Sequence, residues 1–187
     1  IDSRQPARYH GKMKGATRFF SVIWSAWWLL LVAGELPAAE CALCRVSLDI
    51  PANELWQGVR RGDLTIFAMK RGEELFATIE VEKFYNEGRY SLDRMAARYG
   101  EFCTPEIVID GRFAKRTVHG IPVRWGRGHG KSEDGGEFLV HLLFFDIDPS
   151  YACKLTAIVR RKSGDLYEYL LPEIINSLRR LPEDSEN

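Results

Sequence analysis

The sequence has no excess of either charge: 26 lysines and arginines stand against 26 aspartates and glutamates in 187 residues. A nucleic-acid binder needs a basic face to displace counterions, so this balance speaks against DNA or RNA as a partner. There is no internal repeat and no low-complexity tract, which excludes solenoids and fibrous chains. Cysteine is scarce, with four in all. A chain of this length buries a core without a disulfide scaffold, so the four need another reason. The histidines never fall at the spacing of a zinc-binding pair, and no metal or cofactor is expected. "GRGHGKS" (Gly126 to Ser132) is not a phosphate loop, because Trp125 stands where that motif needs glycine. What is present is ordinary for a globular domain: 45% hydrophobic and 28% charged residues.

The N-terminal part is read apart from the rest. Residues 1–12 are polar and irregular, an upstream extension. Met13, Lys14 and Arg18 then precede an apolar run from Phe19 to Gly34, broken only by Ser21 and Ser25. A basic start, an apolar centre and small residues such as Val32 and Gly34 at the end describe a secretory signal, with cleavage before Glu35. An uncleaved anchor attaching the chain to a membrane through residues 19–34 is the second reading. The third is a buried first strand beginning at Trp27, since continuous apolar runs also mark strands covered on both faces. A periplasmic or secreted location is expected, and there thiols tend to be oxidised.

Further along, Asn53 is a candidate cap for a short helix holding Leu55, Trp56 and Val59, ended by Gly62 and Asp63. Strands are expected at Leu64 to Met69, Ile107 to Ile109, Phe138 to Phe145 and Leu155 to Arg161, and Leu75 to Phe84 reads as a second strand or a strand running into a helix. Ser91 caps a helix with Leu92, Met95, Ala96 and Tyr99 on one face. Asp110-Gly111 signals a hairpin turn, residues 124–136 read as a glycine-rich flexible loop, and Leu166 to Leu171 extend the last strand as a hairpin. Pro172 suits the first turn of a final helix carrying Ile174, Ile175, Leu178 and Leu181. Helices separated by strands give an α/β or α+β domain.

Cys41-Ala42-Leu43-Cys44 is a C-x-x-C. At a helix N-terminus such a pair presents a thiolate stabilised by free N–H groups, with the second sulfur placed to resolve a mixed disulfide. A structural disulfide is the bland alternative. Thr104-Pro105, just before an apolar strand, adds a second signal: a cis proline there would offer backbone groups to an extended substrate. Cys103 and Cys153 pair with each other, stay free, or Cys103 serves as a third redox thiol beside Cys41. His141, in an apolar strand, is expected to be a sheet residue rather than a ligand.

These residues resemble an uncharacterised family of secreted thioredoxin-like proteins, a bacterial domain of unknown function. The resemblance rests on Cys41 to Cys44, "ELWQGVRRGDLTIF" (Glu54 to Phe67) and "LDRMAARYGEFCTPEIVIDGR" (Leu92 to Arg112), with looser likeness at His141 to Pro149 and Ile174 to Glu183. The family reads tyrosine where this chain has Cys103. The resemblance implies an α/β fold, a thioredoxin-like sheet with flanking helices and a β-rich C-terminal extension. Residues 1–34 would be the extension and signal-like segment, 35–122 the thioredoxin-like core, and 123–187 the loop, strands and last helix. It also implies thiol–disulfide exchange on protein or small thiol substrates. Cys41 would attack, Cys44 resolve, and Thr104 and Pro105 bind the substrate backbone. A non-catalytic secreted or membrane-anchored binding domain with structural disulfides is the competing expectation.

Overall fold

The structure, a computed structural model, describes residues 40–181 except 52–55, 72, 105, 133–134 and 162–164. The apolar run 19–34, the strand expected from Trp27, Asn53, Pro105 and the tail from Pro182 lie outside the described residues.

The fold is mostly β, and this overturns the α/β thioredoxin-like expectation. An eight-stranded antiparallel sheet forms the frame. Its strands are β3 (Trp56–Arg61), β4 (Leu64–Arg71), β5 (Glu74–Tyr85), β6 (Val108–Ile109), β7 (Ala114–Val118), β8 (Ile121–Lys131), β9 (Glu137–Asp146) and β10 (Tyr151–Arg160). They lie in the order β3-β4-β5-β10-β9-β8, with β6 and β7 both on the outer edge of β8. Residues 35–122 and 123–187 therefore contribute to one sheet, joined where β5 pairs with β10 from Tyr85↔Tyr151 to Ala77↔Val159. Two α-helices are described, α1 (Leu92–Ala97) and α2 (Asp165–Asn176). A thioredoxin sheet needs crossover helices between parallel strands. Every pairing here is antiparallel, and all but β5–β10 and β6–β8 join consecutive strands through short connections.

The apolar strands are covered on both faces. In β9, "FLVHLLFF" alternates sides: Leu143 and Phe145 face one way, Phe138, Val140, Leu142 and Phe144 the other, and all are buried. Such runs are usual in parallel sheets, but any strand covered on both faces shows them. One face packs against α2 and an N-terminal segment, through Phe67, Ile79, Leu155, Leu171 and Ile174. The other packs against α1 and the following residues 99–113, through Met95, Ile107, Leu142 and Phe144.

Four local expectations also change. Trp56 and Val59 lie in β3, not a helix. Asp110-Gly111 is no hairpin turn: β6 and β7 run along the same edge, and residues 110–113 bulge between them opposite Gly126 and Arg127. The turn falls instead at His119-Gly120, both with positive φ (43° and 81°), which joins β7 to β8. Residues 124–131 form strand rather than loop. Gly126, Gly128 and Gly130 share one face of β8, and a Cβ at Gly128 would lie 2.0 Å from the Val108 carbonyl oxygen. At Gly126 and Gly130 it would overlap the rings of Phe113 and Phe138. These glycines let the covering segment lie directly on the strand. Finally, Leu166 to Leu171 belong to α2, and Pro172 sits inside that helix rather than opening it. Ser91 does cap α1, its Oγ accepting from the Arg94 N–H at 3.3 Å.

Candidate ligand-binding cleft

The predicted redox residues come first. Cys41 ends β1 (Glu40–Cys41), and Ala42–Cys44 form a single 3₁₀ turn leading to β2 (Val46–Ser47). Arg45 closes that turn in the left-handed region, φ 51°. No α-helix follows the pair, so no helix dipole stabilises a thiolate there. Cys44 is bonded to Cys153 of β10, 109 residues away, rather than to Cys41. The Cys41 thiol is free and 1% exposed, and it donates to Thr65 Oγ1 at 3.3 Å.

The disulfide belongs to a clamp on the first face. β11 (Arg179–Arg180) pairs with β2, so the N-terminal segment and the end of the chain are stitched together. Leu181 N–H donates to the Arg45 carbonyl (2.9 Å) and Asp49 N–H to Ser177 Oγ (2.7 Å); Arg179 pairs with Asp49. Arg180 donates to the carbonyls of Asp146 and Ile147. Beside this face His141 is 6% exposed and accepts from Trp125 Nε1–H at 3.1 Å through Nδ1. Burial, then the charges of Arg127 and Arg116, lower its pKa to about 4, so it is neutral and serves packing, as expected from sequence.

Cys103 and Thr104 sit on the opposite face, so the sheet separates them from Cys41. The structure therefore does not bring the thiol pair and the Thr104 segment together. Cys103 is half-buried and free. Burial chiefly pushes its pKa up to about 11, with Glu82 and Glu80 adding and Lys154 opposing. It is a thiol at neutral pH, not a nucleophile.

Around Cys103 and Thr104 the second face is incompletely covered. α1 and the residues that follow it cover the sheet over β8 and β9 and reach β5 and β10 only at one end, where Phe102 meets Phe84 and Lys154. A cleft of about 90 Å³ remains there, walled by Phe76, Ile107, Phe138 and Ile158 among others. Besides Cys103, Thr104 and Ser132, its polar groups come from alternate positions of two paired strands. β5 supplies Thr78 and Glu80, and β10 supplies Lys154, Thr156 and Arg160. Cross-strand register sets Glu80 against Thr156 and Glu82 against Lys154.

Two charged side chains are buried here. Lys154 is 3% exposed; its ammonium donates to the Phe102 carbonyl (2.7 Å) and pairs with Glu82 (2.6 Å). This ties the covering segment to the sheet at the cleft's end. Glu80 is also 3% exposed, and its Oε2 has no hydrogen-bond partner among the described residues. Its pKa is pushed up to about 7, mainly by burial; Lys154 opposes the shift and Glu82 adds to it. A buried acceptor left unpaired costs about 1–3 kcal/mol, so a fold keeping one is expected to use it. Among the described residues no cluster of His, Cys, Asp or Glu is placed to hold a metal ion.

Glu80 and Lys154 were not singled out from the sequence. Their signal is period-two: charges recur on one face of "TIEVEKF" and "CKLTAI", while Ile79, Val81, Leu155 and Ala157 lie on the other. Read alone, each strand looks half-exposed. Only the pairing of β5 with β10 shows that the polar positions converge.

No family model matches the chain, and no curated protein matches its sequence. Two solved structures are similar in fold. One is LpqN, involved in cell envelope biogenesis of Mycobacterium tuberculosis: 14% identity, TM-score 0.55, covering 73% of this chain and 84% of that one. The other is PA94 from Pseudomonas aeruginosa, a protein of unknown function: 16% identity, TM-score 0.52, covering 73% of this chain and 92% of that one. At these identities the likeness shows the fold alone.

Proposed function

We propose that the chain is a non-catalytic binding domain working outside the cytoplasm, which takes a small ligand into the cleft over β5 and β10. The observation that carries this reading is the cleft itself. It has apolar walls and a few convergent polar groups, including a buried carboxyl oxygen with no partner. The buried Cys44–Cys153 disulfide supports an oxidising compartment, periplasmic or secreted. The envelope role of LpqN agrees with that location. No helix among the described residues is long and apolar enough to cross a membrane.

The cysteine geometry gives thiol exchange little support. Cys44 is bonded away from its C-x-x-C partner, Cys41 is buried, and Cys103 is held protonated. Two assays test the proposal together. A neutral apolar probe, 1-hexanol, should bind the wild type, and Ile158→Trp, which fills the cleft, should abolish that binding. The folded protein should not accelerate insulin reduction by dithiothreitol. Unchanged hexanol binding by Ile158→Trp, or catalysed insulin reduction, would overturn the reading.

A further inference from the structure

The binding reading leaves the ligand's chemistry open, and the cleft's charges narrow it. The inference rests on that reading. The groups facing Glu80 come from every element around it. Its own strand brings Glu82, β10 brings Lys154 and Thr156, with Arg160 four residues farther along the same strand, and the covering segment brings Cys103. β4 presents only Ile66, directly opposite. Lys154 is already engaged with Glu82 and the Phe102 carbonyl. Glu82 thus takes the buried ammonium, while Glu80 Oε2 keeps an unfilled acceptor position among the described residues.

From this geometry we infer that the cleft binds an amphipathic amine, a protonated amino group donating to Glu80 with its hydrocarbon part against Phe76, Ile107, Phe138 and Ile158. An anionic ligand, such as a fatty-acid carboxylate, would meet the Glu80 carboxyl, offers no donor for the vacant oxygen, and finds Lys154 already paired with Glu82. A neutral alcohol satisfies the hydrogen bond without the ion pair. In a low-dielectric cleft the charge-assisted bond is the stronger, roughly twice a neutral one. Size sets a second limit. An apolar cavity of about 150 Å³ accepts a benzene ring. The roughly 90 Å³ here encloses a smaller group, an aminoalkyl end of a few carbons, and a longer ligand would emerge at the open mouth.

Binding of an amine is coupled to the proton on Glu80. The amine needs the carboxylate, which forms only as pH rises past about 7, while an alkylammonium stays charged well above that. Apparent affinity should therefore rise with pH, by about tenfold between pH 6 and pH 8 for a titration centred near 7.

The test is calorimetric titration of the folded, oxidised protein with three probes of one length: hexylamine, 1-hexanol and hexanoate. Hexylamine should bind tightest and gain about tenfold from pH 6 to pH 8. Hexanol should bind more weakly and independently of pH, and hexanoate should not bind. Glu80→Gln should bring hexylamine down to the level of hexanol and erase the pH dependence, while hexanol binding persists as the control for an intact cleft. Hexanoate binding as well as hexylamine would overturn the inference, as would hexylamine binding unaffected by pH in the wild type. In either case hexanol binding would leave the binding-domain reading standing. Failure of all three probes would remove both. The wild-type probe series does not depend on the variant, so a poorly folding Glu80→Gln leaves the test decisive.

Discussion

The two faces of one sheet are built from the same strands and come to opposite ends. The first face is sealed. α2 and the N-terminal segment cover it, the end of the chain pairs with that segment, and Cys44 is bonded through it to Cys153. Its one buried titratable ring, His141, is neutral and partnered. The second face is covered over β8 and β9 and left open over part of β5 and β10. There it carries a buried carboxyl with an unpaired oxygen and an ammonium shared with a neighbour. Polar residues at alternate positions of a strand do not have to point at solvent. Where a covering layer stops short they form the floor of a site.

The comparison is broken most severely by removing the clamp. Closing a loop of 109 residues lowers the entropy of the unfolded chain enough to stabilise the fold by about 4–5 kcal/mol. Cys153→Ser should lose an amount of that order in urea denaturation, and reduction of the wild type should reproduce it. A loss under about 1 kcal/mol would mean the sealed face does not depend on its bond.

Titration sharpens the contrast, because the two buried groups pull stability in opposite directions. Glu80 has its folded pKa raised from 4.5 to about 7, so the folded state binds more protons in that window. Stability from this group is full below pH 4.5 and falls as pH rises through about 7, by roughly 3 kcal/mol in all. His141 has its folded pKa lowered from 6.5 to about 4, so the unfolded state binds more protons. Its contribution is full above pH 6.5 and is lost as pH falls toward 4, by a similar amount. The two slopes oppose each other between pH 4.5 and 6.5. Glu80→Gln should therefore expose a stability that rises with pH, and His141→Gln one that falls. Urea midpoints across that range decide it; unchanged slopes in both variants would contradict the assignment.

The smallest effect concerns how the second face is covered. Gly128→Ala drives a Cβ into the backbone at Val108 and Ile109 and should cost about 1–3 kcal/mol. Gly100→Ala, with open space around it, should stay within about 0.5 kcal/mol. Equal denaturation midpoints for the two would show that close approach of the edge to β8 is not needed.

Local elements were legible where side-chain period and punctuation agree. The strands β4, β5, β9 and β10 and the Ser91 cap are all visible in the sequence. What misled was non-local. A C-x-x-C, a Thr-Pro and apolar strands follow one another in the order of a thioredoxin domain, but chain order does not say which strands pair. The glycines of "GRGHG" look like a loop because their purpose, room for Phe113, Val108 and Phe138, lies on other segments. Cys44 meets Cys153 only through the folded sheet, and three connectivities for four cysteines are equal on paper. The candidate site was hidden for the same reason. Glu80 and Thr156 are 76 positions apart and become neighbours only by register.

The most direct measurement is peptide mapping by mass spectrometry of the non-reduced folded protein, with free thiols blocked first. The account predicts one disulfide, Cys44 to Cys153, with Cys41 and Cys103 recovered as free thiols. A disulfide between Cys41 and Cys44, leaving Cys153 free, would contradict it: the sealed face would lose its bond, and the C-x-x-C would stand again as a redox pair.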